Sequence, residues 1–341
     1  MGSPNRKKEN SSSALELQLS LKFLTWNLEN FFLAPSSIGL RNSAKEPAKV
    51  DAIAEIIKEA SADVIFLTEI GGEESLELFN KQYLDSCYEV SFLPTNSNRG
   101  IDLGYLVSKS FLERENLEIK QFSHVKEPLD FIYPHDVAKN KASVLAGRKP
   151  TRKSEKISRD LAELYLINKE SRSPLFIILG VHLKSKLDKE GIDWHGSRRR
   201  KAECLYALNH YRDLNERYDG EVPIFITGDF NGEAHLKKCE PELAVIYHET
   251  DLMDFTDALG LEREDCFSFS GFDRNKKSFG LQLDYFFVSK KWHPYLNKKG
   301  SGVLRYKNPE GGVFPLPQTP GARHALPSDH YPLIIEFSRW F

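Results

Sequence analysis

The feature that most constrains the fold is a series of short apolar runs, several with hydrophobic residues on consecutive positions. Lys22–Asn27, Asp63–Thr68, Gly104–Ser108, Leu161–Ile167, Leu175–His182, Pro223–Thr227, Leu283–Ser289 and Pro332–Phe337 read as strands. A strand that is apolar on both faces must be covered on both faces. Helices to cover them are predicted at Pro47–Ala60, Glu73–Asp85 and Ser197–Tyr218. In the first, Val50, Ile53, Ala54 and Ile57 share one face, and Pro47 suits a first turn. Ser197 is expected to cap the third. Pro134–Arg159, rich in Lys and Arg, reads as irregular, and Pro/Gly punctuation gathers at 309–321. No repeat and no clear linker is visible. Residues 1–18 read as a disordered tail and 19–341 as a single α/β domain, sheets covered by helices. A chain of 341 residues with 40% hydrophobic side chains can fill such a core.

Charge and cysteines narrow the function. A net charge of -2 gives no support for nonspecific binding to polyanions, so any nucleic-acid site must be a local patch. Cys87, Cys204, Cys239 and Cys266 are widely spaced and include no C-x-x-C, which argues against a disulfide framework and a zinc site and for reduced thiols in a cytoplasmic protein. The polar N-terminus lacks the apolar stretch of a secretory leader, and no run approaches membrane-spanning length. A monomer is the default expectation.

Six apolar strands run into polar groups that a core does not need: Thr25-Trp26-Asn27-Leu28-Glu29-Asn30, Thr68-Glu69-Ile70, Val181-His182-Leu183-Lys184-Ser185, Gly228-Asp229-Phe230-Asn231, Leu283-Asp284-Tyr285 and Ser328-Asp329-His330. Strand ends and the loops after them are where α/β sheets commonly gather an active site. The chain has no G-x-S-x-G elbow, no P-loop and no HExxH helix. Carboxylate and carboxamide oxygens instead suit Mg²⁺, with Mn²⁺ as a substitute. Phosphodiester hydrolysis needs an oriented water, for which Asp229 is the candidate. It needs donors to the developing charge, for which His182, Asn231 and Asn27 serve. It also needs an imidazole held in one orientation, as Asp284 would hold His330. Residues two apart on a strand face one way, so extended geometry would aim Asp229 and Asn231 at one pocket, with Phe230 opposite.

WNLEN, LTEI, HLKSK, GDFN, LDYFFVS and SDHYP, in that order, resemble the endonuclease/exonuclease/phosphatase superfamily from about Leu21 to Phe337. The resemblance implies a four-layer α/β sandwich with two central mixed β-sheets flanked by helices, and a divalent metal, usually Mg²⁺. It implies Glu69 as the principal metal ligand, Asn27 beside the metal and Asp329 as a further metal-side carboxylate. It implies Asp229 positioning the attacking water, Asn231 at the phosphate or that water, His330 at the phosphate or shuttling a proton while paired with Asp284, and His182 as the second histidine of the deoxyribonuclease and phosphatase branches.

Other residues admit two readings each. Glu29 is either a metal-side carboxylate or a solvated group one pleat away. Arg99 and Asp102 form either a plain turn or a phosphate contact and an orienter of His182. Arg159 either points to the site from its strand start or does not. Lys184 is a rim cation that attracts phosphate or a solvated one, and Arg198–Lys201 a solvated helix face or a phosphate-contacting rim. Within the superfamily the HLKSK and RGID segments look more like bacterial nuclease-like members. The expected substrate is therefore nucleic acid, cut by an endo- or exonuclease. The alternative is a phosphatase or phosphodiesterase acting on inositol phosphates, a lipid headgroup or another small phosphoester. A catalytically silent binding protein on the same scaffold is the third reading.

Overall fold

The computed structural model describes residues 20–33, 43–150, 154–188, 191–307, 311–313 and 316–338, so the expected tail at 1–18 lies outside the described residues. Two six-stranded mixed sheets form its centre. The strands in chain order are β1 (Ser20–Phe31), β2 (Val64–Ile70), β3 (Tyr88–Leu93), β4 (Asp102–Ser108), β5 (Leu117–Ser123), β6 (Leu161–Asn168), β7 (Pro174–His182), β8 (Ile224–Asp229), β9 (Ala234–His235), β10 (Lys238–Cys239), β11 (Leu252–Asp254), β12 (Phe269–Phe272), β13 (Ser278–Leu281), β14 (Asp284–Ser289), β15 (Gly302–Val303) and β16 (Leu333–Ser338). The first sheet runs β15-β16-β1-β2-β4-β3 and the second β11-β14-β8-β7-β6-β5. Each has one parallel pair at its middle, β1 with β2 and β7 with β8. The two-stranded ribbons β9-β10 and β12-β13 stand apart from the sheets.

Side-chain alternation explains the layers. Phe23, Phe66, Phe176, Ile178, Phe225, Phe286 and Leu333 point between the sheets and form one apolar cluster. The opposite faces are apolar too. Leu24, Trp26, Ile65 and Leu67 pack beneath helices α1 (Pro47–Ala60) and α2 (Glu73–Tyr83). Ile177, Leu179, Ile224 and Ile226 pack beneath a long helix at Ser197–Arg217. Helix, sheet, sheet and helix give the four layers expected from the motif resemblance. Two shorter helices are α3 (Lys109–Arg114) and α4 (Pro134–Leu145), and the long one is therefore α5. Among the described residues no helix is long and apolar enough to cross a membrane.

Beyond short unexpected elements such as α3, β9–β13 and β15, three departures from the expected elements have a clear physical reason. Pro134–Arg159 was expected to be irregular, yet it opens with α4, entered through Pro134 in the first turn. Strands β3 and β5 come from segments that alternate instead of running apolar; each lies at one edge of its sheet, opposite β15 and β11, and an edge strand can leave one face to solvent. Ser197 does not cap α5. Gly196 occupies that position with left-handed backbone, and Asp193 supplies the cap by accepting from the N–H groups of Arg198 and Arg199, both at 3.0 Å.

Candidate active site

The same period of two that builds the inter-sheet core also builds the site. On β1 the inward residues Leu21 and Phe23 are followed on that face by Asn27; on β7 Phe176 and Ile178 by His182; on β8 Phe225 by Asp229; on β14 Phe286 and Val288 are preceded by Asp284. One end of the apolar layer is thus floored with polar side chains. Registry sets them side by side, because Asp229 pairs with His182 on one neighbour and with Asp284 on the other. Gly228, at φ 127°, lets β8 pass close to β7: a Cβ there would lie 2.0 Å from the Val181 carbonyl oxygen.

Asp229 is the centre of this floor and is fully buried. Its Oδ2 accepts from Asn27 Nδ2 at 2.9 Å and lies 3.5 Å from His182 Nε2 and 4.0 Å from His330 Nε2. Its Oδ1 accepts from the Asn231 N–H at 2.8 Å. Burial, with the negative charge of Asp284 behind it, pushes the Asp229 carboxyl up to about 7, although His330 and two hydrogen bonds pull the other way. His330 Nδ1 meets Asp284 Oδ2 at 2.6 Å. Burial disfavours its imidazolium, but Asp284, with Asp229 and Asp329, outweighs that and raises His330 to about 10. His182 goes the opposite way: burial, reinforced by Arg159, His330 and Arg99, holds it well below the ordinary histidine range. Its Nδ1 and the Oδ1 of Asp284 are buried without a hydrogen-bond partner.

Asn231 joins this group by a different geometry from the one expected. The strand ends at Asp229, and Asn231 takes left-handed backbone at φ 52°. An Asx turn, closed by Asp229 Oδ1, replaces the extended continuation, and Asn231 Nδ2 donates to the Leu183 carbonyl at 3.0 Å. Phe230 does pack away from the site, against Tyr285 and Phe287 at 5.5 and 5.1 Å between ring centroids.

A second carboxylate group borders the first. Pairing of β1 with β2 slips between Asn27 and Phe31, and pairing of β2 with β4 slips at Glu69. Glu29, Asn30 and Glu69 all have positive φ at these bulges, the kind of strain that concentrates at functional positions. Glu69 Oε2 accepts from the Asn30 N–H at 3.0 Å, and Arg99 lies 3.5 Å from the same oxygen while donating to Asn30 Oδ1. Asp329 pairs with Arg323, and its N–H donates to Glu29 Oε2 at 3.2 Å. Burial and the Asp329 charge raise the Glu29 carboxyl despite Lys45, Arg323 and Lys49 nearby. Lys45 Nζ donates to the Leu28 and Glu29 carbonyls at 2.8 and 2.9 Å. Asn30, Lys45 and Arg323 escaped the sequence reading. Asn30 closes the WNLEN motif and was visible there, whereas no motif marks Lys45 or Arg323. Glu29, Glu69 and Asp329 all act on Lys45, so with Asn27 Oδ1 they bring oxygen donors to one side of the floor, spread wider than Asp229, Asp284 and His330, whose ligand atoms lie within 4.8 Å of one another. Oxygen donors of this kind suit a hard divalent cation.

The remaining predicted residues divide. Arg99, Arg159 and Lys184 line a cleft of about 580 Å³ together with Tyr133, His135 and Arg199. Arg159 is buried beside the site, its charge felt by both Glu69 and Asp229, so it does point inward. Lys184 Nζ reaches the Ser185 and Leu187 carbonyls at 3.0 and 2.6 Å. Asp102 does not orient His182: its Oδ1 accepts from the Thr95 N–H at 2.8 Å and closes the turn before β4. Arg200 is not on a solvated face but fully buried, paired with Glu240 and Glu242.

Comparison with known proteins bears on this geometry. The profile of the Endonuclease/Exonuclease/phosphatase family matches residues 24–330, and the chain belongs to that family, whose members hydrolyse phosphoesters with a divalent metal. Among solved structures it is similar to the human Nocturnin catalytic domain with bound sulfate, at TM-score 0.57 and 18% identity over 94% of each chain. It is similar to D. rerio TDP2 complexed with a single-strand DNA product, at 0.55 and 15% over 94% of this chain and 99% of that one. A Bacteroides thetaiotaomicron mannosyl-6-phosphatase matches at 0.55 and 15%, over 93% and 99%. No curated protein sequence matches significantly. Likeness at these identities is likeness of fold.

Proposed function

We propose that the protein is a metal-dependent nuclease that cleaves phosphodiester bonds of nucleic acid by water attack. The observation that carries the reaction class is the setting of Asp229, a buried carboxylate tuned to about 7 and ringed by Asn27, Asn231, His182 and His330. Asp229 orients the attacking water and takes its proton. His330, kept cationic by Asp284, donates to the phosphate, and neutral His182 and the Asn231 carboxamide add donors without adding charge. Glu69, Asn27 and Asp329 would hold Mg²⁺, or Mn²⁺ in its place, with Glu29 beside them. Bound there, the ion would supply Lewis-acid polarisation of a phosphoryl oxygen and offset charge on the leaving oxygen.

The substrate class rests on the cleft. Arg99, Arg159, Lys184 and Arg199 place four cations in the cleft wall, which suit the phosphates of a nucleic-acid backbone. In the same wall the exposed His135 ring, backed at 5.8 Å by buried Tyr133, offers an aromatic face to a base. Asp136, Glu155, Asp188 and Asp193 also line the cleft, as many carboxylates as cations, and favour a second reading, a phosphatase of small phosphoesters. Free thiols at all four cysteines support a cytoplasmic setting.

A substrate panel with Mg²⁺ tests the proposal: duplex and single-stranded DNA, RNA, abasic DNA, inositol phosphates and sphingomyelin. Nucleic-acid cleavage abolished by EDTA is expected. Glu69→Ala, Asp229→Asn and His330→Ala should each lose about 10²–10⁴-fold in kcat while staying folded. Turnover of inositol phosphates without cleavage of any nucleic acid establishes the second reading. Full activity in Asp229→Asn overturns the mechanism.

A further inference from the structure

On the outer face of the second sheet, away from the inter-sheet floor, three side chains converge for which hydrolysis has no use. Glu163 of β6 lies between Leu161 and Tyr165 on the face toward α5. Its Oε2 is 2.8 Å from His124 Nε2, just after β5, and 2.9 Å from His210 Nε2 on α5. The two imidazole rings meet edge to face at 4.6 Å. Their ligand atoms all fall within 4.8 Å of one another. A groove of about 400 Å³, walled by Glu127, Tyr206 and Arg217, leads to them from solvent.

We propose that His124, Glu163 and His210 form a Zn²⁺ site that fastens α5 to the edge of the second sheet. Two imidazoles and one carboxylate are a nitrogen-rich set suited to zinc, unlike the all-oxygen set around Glu69. Tetrahedral bonds of about 2.0–2.2 Å separate ligand atoms by about 3.3 Å, so each imidazole need retreat only a few tenths of an ångström from Glu163. The groove supplies an open fourth position for water.

The surroundings are compatible with coordination. His124 Nδ1 faces the Tyr206 hydroxyl at 2.9 Å, and that hydroxyl can accept as well as donate. It can therefore hold the Nδ1–H tautomer, which frees the Nε2 lone pair for metal. Tyr206 and His210 stand four residues apart, on one face of α5. The backbone of His124 is fixed as well, its N–H donating to Asp160 Oδ1 at 2.6 Å.

Zinc titration of the metal-stripped full chain, with excess Mg²⁺ to occupy the oxygen-donor site, tests the proposal. One zinc equivalent should bind and raise Tm by about 4 °C when free zinc is a hundredfold above Kd. Co²⁺ in its place should show the intense visible absorption of four-coordinate cobalt. Glu163→Gln and His210→Ala should lose that equivalent, and Glu69→Ala should keep it. Tyr206→Phe, which removes only a half-buried hydroxyl, should weaken zinc about 10–100-fold and decides the matter if the other variants unfold. Failure to bind zinc in the presence of Mg²⁺, or an equivalent retained at full affinity in these variants, overturns the site.

Discussion

Burial lifts the Asp229 carboxyl to about 7, and the Asp284 charge outweighs burial at His330 and lifts it to about 10. Asp229 is ionised only above about pH 7, and His330 keeps its proton up to about 10. A base that must be charged and a donor that must be protonated coexist between those values. In the proposed reaction kcat/KM should rise through about pH 7 and fall through about 10. Asp284→Asn removes the charge that raises His330, so the alkaline limb should move down by about 1–3 units. A pH–rate profile of wild type and variant checks both limbs, and an unmoved alkaline limb would detach His330 from the rate. Much of this floor was legible in the sequence. Asn27, His182, Asp229 and Asp284 each follow or precede inward core residues by an even number of positions. Asn231 was assigned to the right place for the wrong reason, since a side chain closing its own turn outweighs continued extension. Of the two readings open for Asp102 the turn holds, and RGID gives no sign that the donor is the Thr95 N–H.

At the scale of elements, the site depends on where strands stop being regular. Bulges in β1 and β2 turn Glu29 and Glu69 out of the pleat, and neither bulge has a sequence signature such as glycine at the left-handed position. The start of α5 matters equally, because Arg199 and the loop before it form part of the cleft wall. Asp193→Ala removes the acceptor for two N–H groups of that helix. It should cost about 1 kcal/mol and lower Tm by about 1–2 °C, read by thermal melting. Ser197→Ala, whose hydroxyl caps nothing, should leave Tm nearly unchanged. Central strands were found by their consecutive apolar residues. Edge strands β3 and β5 were not, because half-exposed alternation in a short segment looks much like loop.

Across the whole molecule, the inter-sheet layer ties the halves of the site together. Phe23 of the first sheet meets Phe176, Phe225 and Phe286 of the second, each with ring centroids 5.3 Å apart, and Phe337 of its own sheet at 5.8 Å. Four edge or tilted aromatic contacts on one ring make it a hub. Phe23→Ala should destabilise by about 3–5 kcal/mol and lower Tm by several degrees in a single transition, followed by calorimetry. Two separate transitions would show that the sheets unfold independently. The layered architecture was readable because strand and helix periods repeat along the entire chain. The cleft wall was not, since Arg99, Tyr133 and Lys184 meet there from segments far apart in sequence. Gly228 gives this division a practical meaning for protein engineering. With the Val181 carbonyl where a methyl would go, the position tolerates one letter of the alphabet, and the floor beside it is a poor target for libraries. The loops above carry no such restriction. Retargeting the protein to a different phosphoester would begin by randomising the cleft wall and holding the β7–β8 junction fixed.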